Sequence, residues 1–492
     1  MSTREEAVVT APSVDRRRTV TARISAGLEQ NGTLVMVVAA FAIVLITHLR
    51  TALAADGWMA LLSGRVVAHG LPSHDTLMVW AHGRQWVDQQ WLAQLALYGL
   101  DRLGGLPLVL LVHAFLVTGA LGGAAALALR RGGSARSATW IALPVLIAYW
   151  PEAVVMRPQS FAYPLFIAVL WVLVDELRQP SRRVYLVLPL LVLWANLHGS
   201  VVVGAAIVSA FAVTEIAAAL HSRPRTVTVR ALVLLAAPWL CVLASPYATS
   251  LPHYYRLIFS SGFGSYVTEW APTTLTIGHA PVYLLALGGL WLFGKTGNRA
   301  SWFEKLAFLG LTLLAFDAVR NAVWLALFSL VVLPRLLDAL RAPAVEPKRL
   351  NRLLALAMLA LVGVATLGVA FEPESWFTQS YPAAAGNAAA AAAGAHGRVF
   401  ANERYADWLV FEHPQLAGRI AYDSRFELLT SRELRSVQEF RNLVAGWRGT
   451  VRGYPALALD RYDDAKPIAA LVKTKAARVV IRRGPIVVLR QR

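Results

Sequence analysis

Long apolar runs broken by short polar connectors dominate the pattern of the chain. The runs fall at about residues 32–50, 105–129, 137–152, 159–177, 184–197, 200–220, 230–244, 279–293, 304–318, 320–338 and 352–371. About 20 apolar residues cross the hydrocarbon core of a bilayer as a helix, so the pattern predicts about eleven transmembrane helices. Two intervals break the rhythm. Residues 51–103 are too polar to span; within them, 57–69 and 88–101 have the spacing of amphipathic helices lying at the membrane interface. Residues 245–278 run from Ser245-Pro246-Tyr247 to Glu269-Trp270 and are rich in aromatic side chains. Loops of that length are uncommon unless functional.

The periodicity changes after the last run. Residues 372–396 are rich in Ala and read as a short helix or a linker. From 397 to 492, strands are predicted at 398–401, 419–422, 477–481 and 486–489, with a helix at 405–412 and a turn at Arg483-Gly484-Pro485. The fold class is therefore an all-α polytopic membrane domain over residues 32–371, followed by a small α/β domain. Residues 1–31 read as a disordered basic tail, without the small-residue cleavage site of a signal peptide.

Composition agrees with a membrane protein. Of 492 residues, 57% are hydrophobic and only 15% charged, against about 25% charged in soluble domains. The net charge of +18 would suit a nucleic-acid partner, but its distribution argues against one. The basic residues concentrate in alternate connectors: Arg130-Arg131 with Arg136, Arg178 with Arg182-Arg183, Arg223 with Arg225 and Arg230, Lys295 with Arg299 and Lys305, and Arg335 to Arg352. The intervening connectors contain no lysine. By the positive-inside rule the N-terminus is cytoplasmic, and an odd number of spans makes the terminal domain extracytoplasmic. Cys241 is the single cysteine, so no intramolecular disulfide forms.

The candidate chemistry lies at the outer ends of the predicted spans. Asp56 follows the first, Glu152 and Arg157 flank the exit of the third, and Trp194, Asn196 and His198 close the fifth. Arg320 stands alone between two apolar helices, and Glu269 lies in the second long loop. Ionisable groups at such depth mark functional sites or intramembrane ion pairs. For Glu152 the two readings are equally supported. Asp75 and Asp88 read as caps or turn residues.

The order of motifs carries a family resemblance. Asp56-Gly57-Trp58, Gly64-Arg65, Gly70-Leu71-Pro72, Asp75, Gly83-Arg84, Trp86-Val87-Asp88 and Trp91-Leu92-Ala93 come first. Arg157-Pro158-Gln159, Trp194-Ala195-Asn196-Leu197-His198-Gly199, Pro246-Tyr247 and Glu269-Trp270 follow. Over about residues 30–340 this run resembles bacterial GT-C glycosyltransferases, the polyprenyl-phosphate-sugar-dependent superfamily that includes protein mannosyltransferases and lipid A aminoarabinose transferases. The resemblance implies a transferase of the bacterial plasma membrane. Its donor would be a polyprenyl-phosphate-linked sugar, and its acceptor a cell-envelope glycan, lipid or protein. Asp56 would be the base. Arg157 and Arg320 would hold phosphate, with His198, Asn196, Trp194, Glu152 and Glu269 as further substrate contacts. The chain departs from the pattern in one respect: Ala55 precedes Asp56 where many relatives carry a second acid. A divalent ion needs several oxygen ligands, here only from scattered residues such as Glu152, Asp75 or Asp88, so no metal site is expected. Two rival readings remain, a lipid or glycan flippase and a non-catalytic envelope-assembly protein on the same scaffold.

Overall fold

The computed structural model describes residues 16–222, 225–260, 268–341 and 348–492. Residues 1–15 of the expected tail and 261–267 of the second long loop lie outside the described residues. The membrane domain comprises α1 (Arg16–His48), α2 (Ala55–Val67), α3 (Trp91–Arg130), α4 (Ala135–Ala153), α5 (Ala162–Arg178), α6 (Val187–Leu197), α7 (Val201–Ser222) and α8 (Arg225–Val242). It continues through α9 (Leu251–Ser260), α10 (Ala280–Thr296), α11 (Trp302–Asp317), α12 (Ala322–Asp338) and α13 (Lys348–Ala370). Then come α14 (Glu374–Phe377), α15 (Ala383–Ala393), β1 (Val399–Ala401), α16 (Glu403–Glu412), α17 (Ser431–Asn442), β2 (Ala456–Asp460), α18 (Ala465–Lys473), β3 (Ala477–Arg483) and β4 (Ile486–Gln491).

Each expected span is a helix. Among the described residues seven are long and apolar enough to cross a membrane: α1, α3, α5 with its preceding turn, α7, α10, α12 and α13. Helix α12 is the hub, its side chains buried from Ala322 through Pro334. Helix α13 is the opposite case, presenting Leu353, Leu356, Val364 and Leu367 outward, as a helix facing lipid does.

The alternation of connectors is visible in the contacts. At one end of the bundle, Arg131 and Arg335 both pair with the buried Glu304, Arg230 pairs with Glu176, Arg130 pairs with Asp175 at 3.0 Å, and Arg352 with Glu29 at 2.6 Å. These are the basic connectors of the sequence pattern. Helix α1 begins at Arg16, so residues 16–31 extend the first span instead of forming part of a loose tail. Packing against α13, fixed by the Arg352–Glu29 pair, supplies the partner surface that a polar helix end lacks alone.

The first long loop also differs from expectation. The kink that separates its second amphipathic helix from the span lies within α3, at Gly104 and Gly105 before Pro107. Gly105 has φ 65°, open to glycine at little cost. Helix α2, expected at the membrane interface, is instead sandwiched between α3 and the terminal domain. Gly57 to Gly64 are all buried, and Trp58 packs on Tyr381 and Phe411.

The terminal domain is a four-stranded sheet in the order β1-β2-β4-β3, with β1 and β2 parallel and the other pairs antiparallel. The Ala-rich stretch is helix α15. Residues 419–422, expected as a strand, contribute only bridges of Ile420 to Val399 and Met78. The bridge to Met78 joins the domain to the first loop: Val79 donates to the Ile420 carbonyl at 2.7 Å and Trp80 to that of Ala421 at 3.0 Å.

Candidate active site

Opposite the ion-paired end, the remaining connectors converge beneath the first loop and the terminal domain. Asp56 lies in the first turn of α2, where the helix dipole favours an anion. The Met156 amide donates to the Ala52 carbonyl at 2.9 Å, lacing the exit of α4 to the entry of α2. Gly57 permits this approach, since a Cβ there would stand 2.8 Å from Leu53 Cδ1 and 3.1 Å from Met156 Cε. Arg157 is extended (φ −143°, ψ 154°), the conformation imposed on a residue preceding proline. These constraints bring Arg157 Nε to 2.9 Å from Asp56 Oδ2.

Arg157 is the centre of the cluster. Its Nη1 lies 2.7 Å from Glu269 Oε2 and 3.5 Å from Glu152 Oε2. Glu269 reaches onward through Oε1 to Arg320 Nη1 at 3.4 Å. Arg320 donates to Gln159 Oε1 at 3.3 Å and stacks over Trp270 at 4.3 Å. The loop carrying Glu269 is pinned by Thr273, whose amide donates to the Phe316 carbonyl at 3.0 Å, and by Val319, whose amide donates to that of Ala271 at 3.1 Å. Burial alone would raise the Glu269 pKa, but Arg157 and Arg320 outweigh it and hold the carboxyl below its ordinary value. Burial opposes the charge of Arg157, yet Asp56, Glu269 and Glu152 together raise its pKa. The centre stays open to solvent: the Asp56 side chain is 32% exposed and that of Arg157 18%.

Four predicted residues therefore meet in one ion network with Arg157: Asp56, Glu152, Glu269 and, through Glu269, Arg320. His198 lies close enough for Arg320 and Arg157 to repel its protonated form. Burial and these two charges push its pKa down to about 3. Its Nδ1 accepts from the Ser200 amide at 3.1 Å and meets Ser200 Oγ at 2.8 Å, which leaves the proton of the neutral ring on Nε2.

Two expectations are corrected. Trp194, expected to stack on a sugar, is fully buried. Its ring packs on Trp324 and Phe166, and its Nε1 donates to Ser200 Oγ at 3.1 Å. Asn196, expected to bind hydroxyls, is used up by the scaffold. It donates to the Val192 and Ala244 carbonyls and accepts from Trp91 Nε1 at 2.9 Å. Both build the turn that presents His198. Among the described residues no group of three His, Cys, Asp or Glu is arranged to hold a metal ion.

Tyr254 of α9, with His253 a substrate-contact candidate of the later loop, lies beside Gln89, which the sequence marks only as an uncharged residue where similar proteins carry a charged one. Gln89 packs over Gly199. The loop before α9 is tied to the first loop by Tyr247, whose hydroxyl donates to the Pro72 carbonyl at 2.8 Å, and by Gln85, which donates to Ser250 Oγ at 3.0 Å.

The sequence matches no protein-family model and no curated protein. Solved structures do share the fold. The oligosaccharyltransferase of Archaeoglobus fulgidus in the apo form superposes with a TM-score of 0.51 at 13% identity, over 86% of this chain and 69% of that one. ArnT from Cupriavidus metallidurans in the apo state superposes with a TM-score of 0.50 at 14% identity, over 96% of this chain and 98% of that one. The chain has the polytopic GT-C glycosyltransferase fold that its motifs resemble.

Proposed function

We propose that the protein is a membrane glycosyltransferase that moves a sugar from a polyprenyl-phosphate donor to a cell-envelope acceptor at the outer face of a bacterial plasma membrane. The observation that carries this reading is Glu269, one carboxylate spanning the guanidinium groups of Arg157 and Arg320 beside Asp56. Two arginines bridged by an oxyanion offer the fork geometry that phosphate oxygens fit. The fold shared with an oligosaccharyltransferase supports the reading.

The chemistry follows from the donor. In a sugar phosphodiester the anomeric carbon already carries a good leaving group, so no general acid is needed. Asp56 accepts the proton of the acceptor hydroxyl while its oxygen bonds to the anomeric carbon. The bond from that carbon to the phosphate oxygen breaks, and the electron pair leaves with the lipid phosphate. Arg157 and Arg320 stabilise the charge that develops there. His198 is neutral, so it offers a hydrogen bond from Nε2 without competing for the phosphate as a cation.

The test is transfer of radiolabelled sugar from polyprenyl phosphate in membranes holding wild type, Asp56→Ala or Asp56→Asn. Both variants should lose about a hundredfold or more in rate, the scale expected when a proton acceptor is removed. Equal activity in all three would remove Asp56 from the role. Arg157→Lys keeps the charge but loses the fork, and should raise the donor KM more than tenfold.

A further inference from the structure

The terminal domain carries a groove that the cluster around Arg157 does not use. Its sheet has two faces, because successive strand residues point to opposite sides. Ala456, Ala458, Ile486 and Val488 pack on the side of α15 and α16, which covers α2. Leu457, Leu459, Val487 and Leu489 pack with Val437 and Phe440 of α17 and Leu471 of α18 on the other side. The groove lies along α17, across the sheet from α2. One wall is Val79 and Trp80 of the first loop; the rest comes from α17, from residues 449–454 and from Arg398 at the head of β1.

The seam between these segments is fixed. Arg425 pairs with Asp423 at 2.5 Å and Asp75 at 2.6 Å, and lies over Trp86 at 4.3 Å. Arg84 of the first loop pairs with Glu433 of α17 at 2.6 Å. Trp80 Nε1 donates to the Tyr454 hydroxyl at 2.9 Å, which leaves the hydroxyl proton of Tyr454 free to be donated. The groove holds about 490 Å³, and an adjoining recess of about 400 Å³ shares Arg432, Ser436, Gly449 and Thr450 with it. Small-molecule sites run from about 300 to 1,000 Å³, so the two together have room for a short chain.

The lining is unmatched in charge. Arg398, Arg432, Arg435 and Arg452 are exposed, and among the described residues none of them forms an ion pair or donates a side-chain hydrogen bond. Arg432 and Arg435 lie three residues apart on α17, where like charges repel. The neighbouring acids do not offset them. Glu433 is taken by Arg84 and by Thr430, which leaves only Glu439 in the adjoining recess. By contrast Arg131, Arg230 and Arg335, at the other end of the molecule, are each matched by an acid. Guanidinium forks hold carboxylate and phosphate oxygens in pairs. The partly apolar rings of Trp80 and Tyr454, with their polar tips, suit a sugar ring.

We propose that this groove binds an anionic glycan, a sugar chain bearing carboxylate or phosphate groups. The proposal goes beyond the transfer reading, and only the choice of a glycan over another polyanion rests on it. A lipid headgroup is the poorer fit, because the groove lies across the sheet from α2.

The test uses the full chain in phosphatidylcholine nanodiscs, with no donor present. Three fluorescent oligosaccharides of equal length are titrated: oligogalacturonate, phosphorylated dextran and plain dextran. At least one acidic oligomer should bind at least tenfold more tightly than dextran. Arg432→Gln combined with Arg452→Gln should weaken that binding at least tenfold. Arg478→Gln combined with Arg482→Gln removes the same charge from exposed positions on β3 and should change it less than twofold. Both variants should melt with wild type, since the substituted side chains pair with nothing among the described residues. Equal weakening by the two pairs would reduce the groove to general attraction by a basic protein and overturn the proposal. Displacement of the oligomers by phosphatidylglycerol added to the discs would assign the groove to headgroups and overturn it too. Sugar transfer by the same samples separates the two readings. Wild type that transfers sugar but binds the acidic oligomers no better than dextran loses the groove alone. Wild type that binds them in the expected pattern but transfers nothing from polyprenyl phosphate loses the transfer reading alone.

Discussion

Arg425 shows most directly what a single side chain does here. It holds two acids that would otherwise face each other without solvent, Asp75 at 0% exposure and Asp423 at 2%. Removing one partner from a buried ion group costs about 3–5 kcal/mol because the remaining charges are stranded. Arg425→Met should therefore lower the thermal midpoint sharply. Arg425→Lys should recover little, since an ammonium neither forks between two carboxylates nor stacks on Trp86 as a guanidinium does. A midpoint within a degree of wild type in both would show that the triad holds nothing. Asp88 gives a pH test. Burial raises its pKa from 3.8 to about 7, with Arg425 opposing. Between those values the folded chain keeps a proton that the unfolded chain releases, so stability falls as pH rises from about 4 to 7 and is then level. Asp88→Asn should remove that part of the slope and raise the midpoint more at pH 8 than at pH 4. Equal shifts at both would count against it.

At the level of elements, the α2–α3 contact is the tightest crossing near the site. A Cβ on Gly64 would lie 2.2 Å from the Gln94 carbonyl oxygen, whereas a Cβ on Gly99 meets nothing within 4 Å. Gly64→Leu should lower the thermal midpoint by the equivalent of at least about 1–3 kcal/mol and reduce transfer, because Asp56 rides on the same helix. Gly99→Ala should be neutral or gain up to about 1 kcal/mol. Similar midpoints for the two would mean that α2 does not depend on this crossing. The helices of the membrane domain were legible in the sequence because apolar length is a local property, although only seven of the eleven expected spans are long and apolar enough to cross a membrane among the described residues. The surroundings of α2 were not, because Phe411 and Tyr381, which cover its outer face, lie more than 300 residues further on. Strand β2 escaped notice for a different reason. Its residues Ala456-Leu457-Ala458-Leu459 lack the β-branched character that marks strands. The direction of the Trp194 ring depends on the rotation of α6, which packing against Trp324 decides and no local pattern records. The arginines and acids of the site were found, since charge at the end of an apolar span is conspicuous. Their convergence on Arg157 was not readable from spacing.

At the scale of the whole molecule, the two ends of the bundle are built on opposite plans. One is closed by ion pairs around Glu304 and Glu176. The other is left partly accessible and roofed by chain from both extremes of the sequence. The sandwiched helix α2 has a consequence for how the molecule is made. It is among the first elements to leave the ribosome, yet one of its faces has no cover until α16 has been synthesised. A nascent chain therefore passes through an interval in which Trp58 is bare and Asp56 is unsteadied. A chain ending after Ala370 should insert its helices but show protease cleavage near 68–90, where the full-length protein resists. Protection of that loop in the shortened chain would mean that α2 matures without its late partner. The packing of Trp58 on Tyr381 and Phe411 thus ties the maturation of an early helix to residues more than 300 positions further along the chain.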